Sequence, residues 1–104
     1  MNRVTIELWL WLGEELKGDF ESRSEMCSAR EEVIEEGISI GDLLIRLADR
    51  YHPIAQKLFD KRGKEIHPNF VVTYNDRVIS PQIVFKQVLK DGDKITIIPM
   101  YTGG

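Results

Sequence analysis

The sequence predicts an α+β roll, a mixed sheet of about four to five strands packed on one main helix. Three observations carry this expectation. Residues 4–11 alternate in hydropathy, residues 39–51 repeat with helical spacing, and two more strand-like runs, the hairpin 70–79 and the alternating 94–98, follow that helix. The chain has 104 residues, the size of one domain. No repeat or linker divides it, so 1–104 is read as a single unit.

The elements follow in order. Val4, Ile6, Leu8 and Leu10 share one face of the first segment, and Thr5, Glu7, Trp9 and Trp11 share the other. A period of two with β-branched and aromatic residues is a strand signal. With two tryptophans the second face also reads as covered, their role being packing. From Gly13 to Ala29 the periodicity fails. Gly18, Asp19, Ser22, Ser24 and Ser28 mark 13–29 as a loop or insertion. Residues 13–36 hold nine acidic and three basic side chains, a local charge of −6 against +3 for the rest. Glu32 to Glu36 reads as a short strand ending at Gly37.

The helix is the clearest element. Ser39 stands at the N-cap, and Asp42 lies at capping-box spacing from it. Ile40, Leu43, Leu44, Leu47, Ala48 and Tyr51 then form one apolar face, with Asp42, Arg46, Asp49 and Arg50 on the wet side. Pro53 stops this helix, because the residue before a proline avoids helical geometry. Pro53 to Phe59 adds one further turn. Lys57, Lys61, Arg62 and Lys64 cluster around Gly63, either as a solvated loop or as a docking patch for an acidic surface.

Phe70 to Tyr74 is a strand, Asn75-Asp76 suits a two-residue hairpin turn, and Arg77 to Ile79 returns. Ser80-Pro81 ends that strand. Ile83 to Leu89 is a brief apolar connection with a helical turn, and Asp91-Gly92-Asp93 is a turn. Lys94 to Met100 alternates again and is stopped at Pro99. Tyr101, Thr102, Gly103 and Gly104 remain.

Composition removes several function classes. One cysteine makes no internal disulfide and no cysteine-built metal centre, and two histidines argue against a multi-histidine one. No metal site is therefore expected. A net charge of −3, with a pI near 5.4, exerts no pull on nucleic acid. No apolar run approaches the ~20 residues that span a membrane. The expected setting is a reduced, cytoplasmic compartment. Cys27 reads as an incidental thiol, and His52 and His67, each beside a proline, read as turn or surface residues. No carboxylate is paired with either, so an enzyme in its own right finds no support.

A terminal glycine pair has no side chain to pack and can enter a narrow channel. Its context gives it meaning. Asp91-Gly92-Asp93, the strand Lys94 to Ile98, Pro99 and a short spacer before Gly103-Gly104 resemble the ending of the ThiS/MoaD sulfur carriers. Gly37-Ile38-Ser39-Ile40-Gly41-Asp42-Leu43-Leu44 resembles that family's strand-to-helix junction, and Phe70 to Ile79 its central hairpin. The likeness covers the first strand and residues 32–104. Two features depart from the family: the spacer residues Tyr101 and Thr102 are large, and the 13–29 connection is long.

The resemblance implies a ubiquitin-like β-grasp fold and a covalent cosubstrate with no bound cofactor. A ubiquitin-activating-like adenylyltransferase of the MoeB/ThiF type would spend ATP on the Gly104 carboxylate. A persulfide from a sulfurtransferase or cysteine desulfurase would then yield a thiocarboxylate. Gly103 would let the tail lie flat. A large molybdopterin synthase subunit of the MoaE type is the further partner expected, with molybdenum or tungsten cofactor synthesis as the first pathway. Thiamine synthesis, tRNA thiolation, protein modification through isopeptide bonds and a plain interaction module stay open. An apolar patch near the tail, from Phe70, Val72, Met100 and Tyr101 together with Thr102, is the expected partner surface.

Overall fold

The computed structural model describes residues 1–9, 20–24, 27–59 and 66–99. Its strands are β1 (Asn2–Leu8), β2 (Glu21–Ser24), β3 (Cys27–Ile34), β4 (Phe70–Tyr74), β5 (Arg77–Ile79) and β6 (Lys94–Pro99). Two helices, α1 (Ile40–Arg50) and α2 (His52–Leu58), lie between β3 and β4 in sequence. The sheet order is β2-β3-β1-β6-β4-β5. β1 and β6 pair in parallel, and the other described pairs are antiparallel, so the expected mixed sheet is present.

The strand count corrects the sequence reading. Six strands are described where four to five were expected. The additional one is β2, inside the 13–29 segment read as a loop, and β3 begins at Cys27 rather than Glu32. The sequence Glu-Ser-Arg-Ser of β2 carries no alternation in hydropathy. Its strand character comes from backbone pairing with β3, Glu21 opposite Ala29 and Ser22 opposite Ser28. A short polar strand suits a sheet edge, where few apolar contacts are available. Ala29 and Cys27 are buried in β3, so Cys27 sits in packing and not in a polar loop.

The α1 boundaries follow from chemistry. Ser39 Oγ accepts from the Asp42 amide at 3.1 Å, and the Asp42 carboxylate accepts from the Ser39 amide at 3.2 Å. This reciprocal cap satisfies two amides that the first helical turn leaves open. Ile40, Leu43, Leu44 and Leu47 are fully buried and meet Val4, Ile6, Leu8, Ile95 and Ile97 from the sheet. The α1 ladder stops at Arg50, Tyr51 turns to extended geometry, and Pro53 sits in the first turn of α2. At that position its missing amide proton leaves no bond unmade. Gly41 is required on α1, because a Cβ there would run into the Phe85 ring.

One side of the sheet therefore carries the helices. The alternation of β1 is as expected for Val4, Ile6 and Leu8. Leu10, Trp11, Gly13, Gly18 and Asp19 lie outside the described residues, as do Lys61, Arg62, Gly63 and Lys64. Trp9 departs from the expectation that its face is covered: it is 39% exposed.

Candidate functional site

Of the site residues expected from sequence, Met100, Tyr101, Thr102, Gly103 and Gly104 lie outside the described residues. The structure defines instead the strand from which they continue. β6 lies between β1 and β4, and its last residue, Pro99, stands opposite Phe70. A tail of five residues can reach about 17 Å from that point when extended. The chain beyond Pro99 thus continues from an interior strand of the sheet.

The start of β6 is fixed by a polar clamp. Asp93 is buried, and its carboxylate accepts from the Tyr74 hydroxyl (2.6 Å), Asn75 Nδ2 (3.0 Å) and the Lys90 amide (2.7 Å). Asn75 Oδ1 in turn accepts from the Lys94 amide at 2.8 Å. Asn75 and Asp76 hold φ of 50° and 68°, the left-handed pair that a two-residue hairpin turn needs. Burial alone would raise the Asp93 pKa, but the bonds from Tyr74, Asn75 and Lys90 outweigh it, and the net position is below the ordinary carboxylate value. Burial and the bond to Asp93 push the Tyr74 phenol up to about 12. The clamp ties the β4–β5 turn to the start of β6.

Register decides which side chains surround the tail root. Val72 pairs with Ile97 and Tyr74 with Ile95, so Phe70, Val72 and Tyr74 face the helices. Val72 is 4% exposed, and Phe70 packs against the core half-buried. Val72 is therefore core and adds no exposed surface to the expected patch, whereas Phe70 keeps part of its surface accessible. The opposite face supplies one from the intervening residues. Ile98 pairs with Val71, and the Trp9 amide bonds to the Ile97 carbonyl at 2.9 Å, so Trp9, Ile98 and Val71 form a row across β1, β6 and β4. Ile98 is 38% exposed and Val71 half-buried. Two residues earlier along β6, at Thr96, Val78 of β5 joins this face through Thr73.

Trp9 is held in place. Its Nε1 donates to Glu7 Oε1 at 2.7 Å, and Lys94 Nζ stands 3.8 Å from Glu7 Oε2. The tryptophan was read as packing, and Ile98 and Val71 were not singled out. The signal that could have found them is parity: side chains two apart along a strand share a face. Among the described residues no group of three potential ligands could hold a metal ion. No helix among them is long and apolar enough to cross a membrane.

A model of the ThiS family matches residues 20–104. A search of curated proteins found no match. Solved structures share the fold throughout. Small archaeal modifier protein 1 of Haloferax volcanii is 18% identical, with a TM-score of 0.71 over 97% of this chain and 100% of that one. Urm1 of Trypanosoma brucei is 20% identical, with a TM-score of 0.67 over 99% and 96%. A putative molybdopterin converting factor subunit 1 of Pyrococcus furiosus is 18% identical, with a TM-score of 0.65 over 97% and 100%. The roll is a ubiquitin-like β-grasp.

Proposed function

The chain belongs to the ThiS family of small ubiquitin-like sulfur carriers, and on that premise we propose that Gly104 is the atom-bearing end of the carrier cycle. The observation that carries this reading is the reach of the family match to residue 104, so that it includes Gly103-Gly104. The α-carboxyl has a pKa of roughly 3.3–3.7 and is a carboxylate at neutral pH. A carboxylate is a poor electrophile, so a leaving group must be installed first.

The steps balance as follows. An adenylyltransferase of the MoeB/ThiF type joins the Gly104 carboxylate to the α-phosphate of ATP, and pyrophosphate leaves. A protein persulfide from a sulfurtransferase or cysteine desulfurase attacks the acyl carbon, and AMP leaves. A thiolate then takes the persulfide's inner sulfur into a disulfide and releases the thiocarboxylate. No cofactor need reside on the chain, since ATP is consumed by the partner. Gly103 lets the tail lie flat where a Cβ would obstruct a narrow channel. The row Trp9, Ile98 and Val71 is the surface we assign to the adenylyltransferase, because it adjoins the strand that leads to the tail. A large synthase subunit of the MoaE type, receiving sulfur for molybdenum or tungsten cofactor synthesis, is the downstream partner proposed. Thiamine synthesis and tRNA thiolation use the same terminus.

Intact-mass measurement tests the reading. After incubation with the adenylyltransferase, ATP and a persulfide donor, the chain should gain the mass of sulfur replacing oxygen. A chain lacking Gly104 should fold and stay unmodified; if it is still loaded, the mechanism is wrong. Similarity of fold to proteins named as modifiers favours one second reading. A lysine amine attacking the same acyl-adenylate gives an isopeptide, and diglycine-bearing lysines on other proteins would report it.

A further inference from the structure

Trp9 is the aromatic member of the row Trp9, Ile98 and Val71, and it is exposed. An exposed tryptophan commonly offers a partner two things, its ring as apolar area and its N–H as a donor. Here the donor is used within the chain, because Nε1 donates to Glu7 Oε1 at 2.7 Å. Glu7 lies on β1 and Trp9 follows that strand two residues on, so both side chains leave the same face of the sheet. Glu7 is only 7% exposed. It stands opposite Thr96 of β6, which stands opposite Thr73 of β4, and both threonines are buried.

A buried carboxylate is costly unless it is paired. Lys94 Nζ supplies the charge partner, 3.8 Å from Glu7 Oε2, and stands 3.9 Å from Asp76 Oδ1 as well. The neighbouring strands fill this row with threonine, so the sheet packs there without a carboxylate. What Glu7 adds is an acceptor long enough to reach the indole. A hydrogen bond to an ionised acceptor is about twice as strong as a neutral one. This one fixes the Trp9 side chain and turns its only donor toward its own chain. With that N–H taken up, the row Trp9, Ile98 and Val71 presents no polar side-chain atom to a partner.

On the reading that this row meets the adenylyltransferase, we propose that Glu7 is a positioning residue for carrier recognition: it holds the Trp9 indole and takes up its N–H, so that Trp9 enters an apolar pocket of the partner that supplies no hydrogen-bond acceptor. The receiving site is thereby given a chemistry, apolar side chains around a ring whose nitrogen faces its own chain. Two effects follow from Glu7. The rotamer of Trp9 is ordered before the partner arrives, which removes a cost that a free side chain would bring to association. The donor is also kept paired inside a dry pocket, where an unpaired one would oppose binding.

The test is ATP–pyrophosphate exchange by the adenylyltransferase, with the full chain as the varied substrate. Glu7→Val keeps a strand-forming residue and removes the acceptor. It should raise KM about tenfold or more and leave kcat unchanged. The unfolding midpoint should stay near wild type, since an apolar residue in place of a buried charge pair is often neutral and Lys94 keeps Asp76. Glu7→Gln, whose amide oxygen still accepts, should stay within about threefold of the wild-type KM. Adding Trp9→Phe to Glu7→Val removes the unpaired donor and should lower KM several-fold, a coupling that two independent losses would not show. A higher KM in that double variant, or a wild-type KM in folded Glu7→Val, would overturn the proposal. Should Glu7→Val fail to fold, Trp9→Phe alone decides: a rise in KM of under about fivefold is expected, and a larger one means that the partner bonds the N–H and overturns it. The underlying reading fails differently. No exchange with the wild-type chain removes the carrier assignment, a wild-type KM in Trp9→Ala removes the assignment of the row, and either takes the role of Glu7 with it.

Discussion

Replacing Asp93 with alanine takes away the acceptor that ties the start of β6 to the β4–β5 turn. Three donors lose their partner together: the Tyr74 hydroxyl, Asn75 Nδ2 and the Lys90 amide. A buried donor left unpaired costs about 1–3 kcal/mol, and one that water can reach costs much less. Asn75 and Lys90 are exposed, whereas Tyr74 is half-buried, so the expected loss is about 2–3 kcal/mol. That is a large share of the ~5–15 kcal/mol typical of a domain. With a urea slope of about 1–1.5 kcal/mol per molar, the unfolding midpoint should fall by roughly 2 M.

The pH dependence of that loss gives a second reading of the same variant. The folded pKa of Asp93 lies below its ordinary value, so its stabilisation is complete above the unfolded pKa of about 3.9. It is lost as pH falls through the folded value. The gap between wild type and Asp93→Ala should therefore narrow on acidification below about pH 4. Sulfur loading per folded molecule should not change, because Asp93 is at the end of β6 remote from the tail. A loss under about 0.5 kcal/mol, or a gap that does not narrow at low pH, would refute the reasoning about the clamp.

Trp9→Ala should raise the KM of the carrier in ATP–pyrophosphate exchange by about tenfold or more, as hot-spot truncations do, with kcat and the unfolding midpoint near wild type. Val72→Ala should do the reverse, lowering stability by about 1–3 kcal/mol in urea unfolding and leaving KM alone. The Tyr74 phenol, held up at about 12, stabilises the fold below the ordinary pKa of 10 and ceases to do so as pH rises through 12. In Tyr74→Phe the highest phenolate step of a spectrophotometric titration should vanish. Ser39→Ala breaks the reciprocal cap of α1 and should cost about 1 kcal/mol by thermal unfolding.

Much of the fold was legible because the signals were local. Ser39 and Asp42 announce α1, and its leucines repeat at the helical period. Asn75-Asp76 announces the hairpin. β2 was hidden because what makes it a strand is backbone pairing with β3, which leaves no pattern in Glu-Ser-Arg-Ser. The burial of Val72 was hidden for a different reason. Phe70-Val71-Val72 is apolar without a break, so hydropathy cannot tell which residues point toward the helices. Only the pairing of Val71 with Ile98 and Val72 with Ile97 sets that phase, and a slip of one residue moves the patch to the other face.

β6 comes last among the strands yet occupies the interior of the sheet, with Thr5 of β1 opposite Lys94 on one side and Tyr74 of β4 opposite Ile95 on the other. During synthesis, which proceeds from the N-terminus, β3 can pair with β1 early, but the two halves of the sheet join only when β6 arrives. Until then β1 and β4 both present open edges, the kind that invite wrong pairing. The segment that closes those edges is also the one from which the tail emerges. Display of a tail rooted in the sheet thus certifies that folding is finished, and an activating enzyme that grips both the sheet face and the tail would distinguish complete carriers from incomplete ones without any separate inspection step.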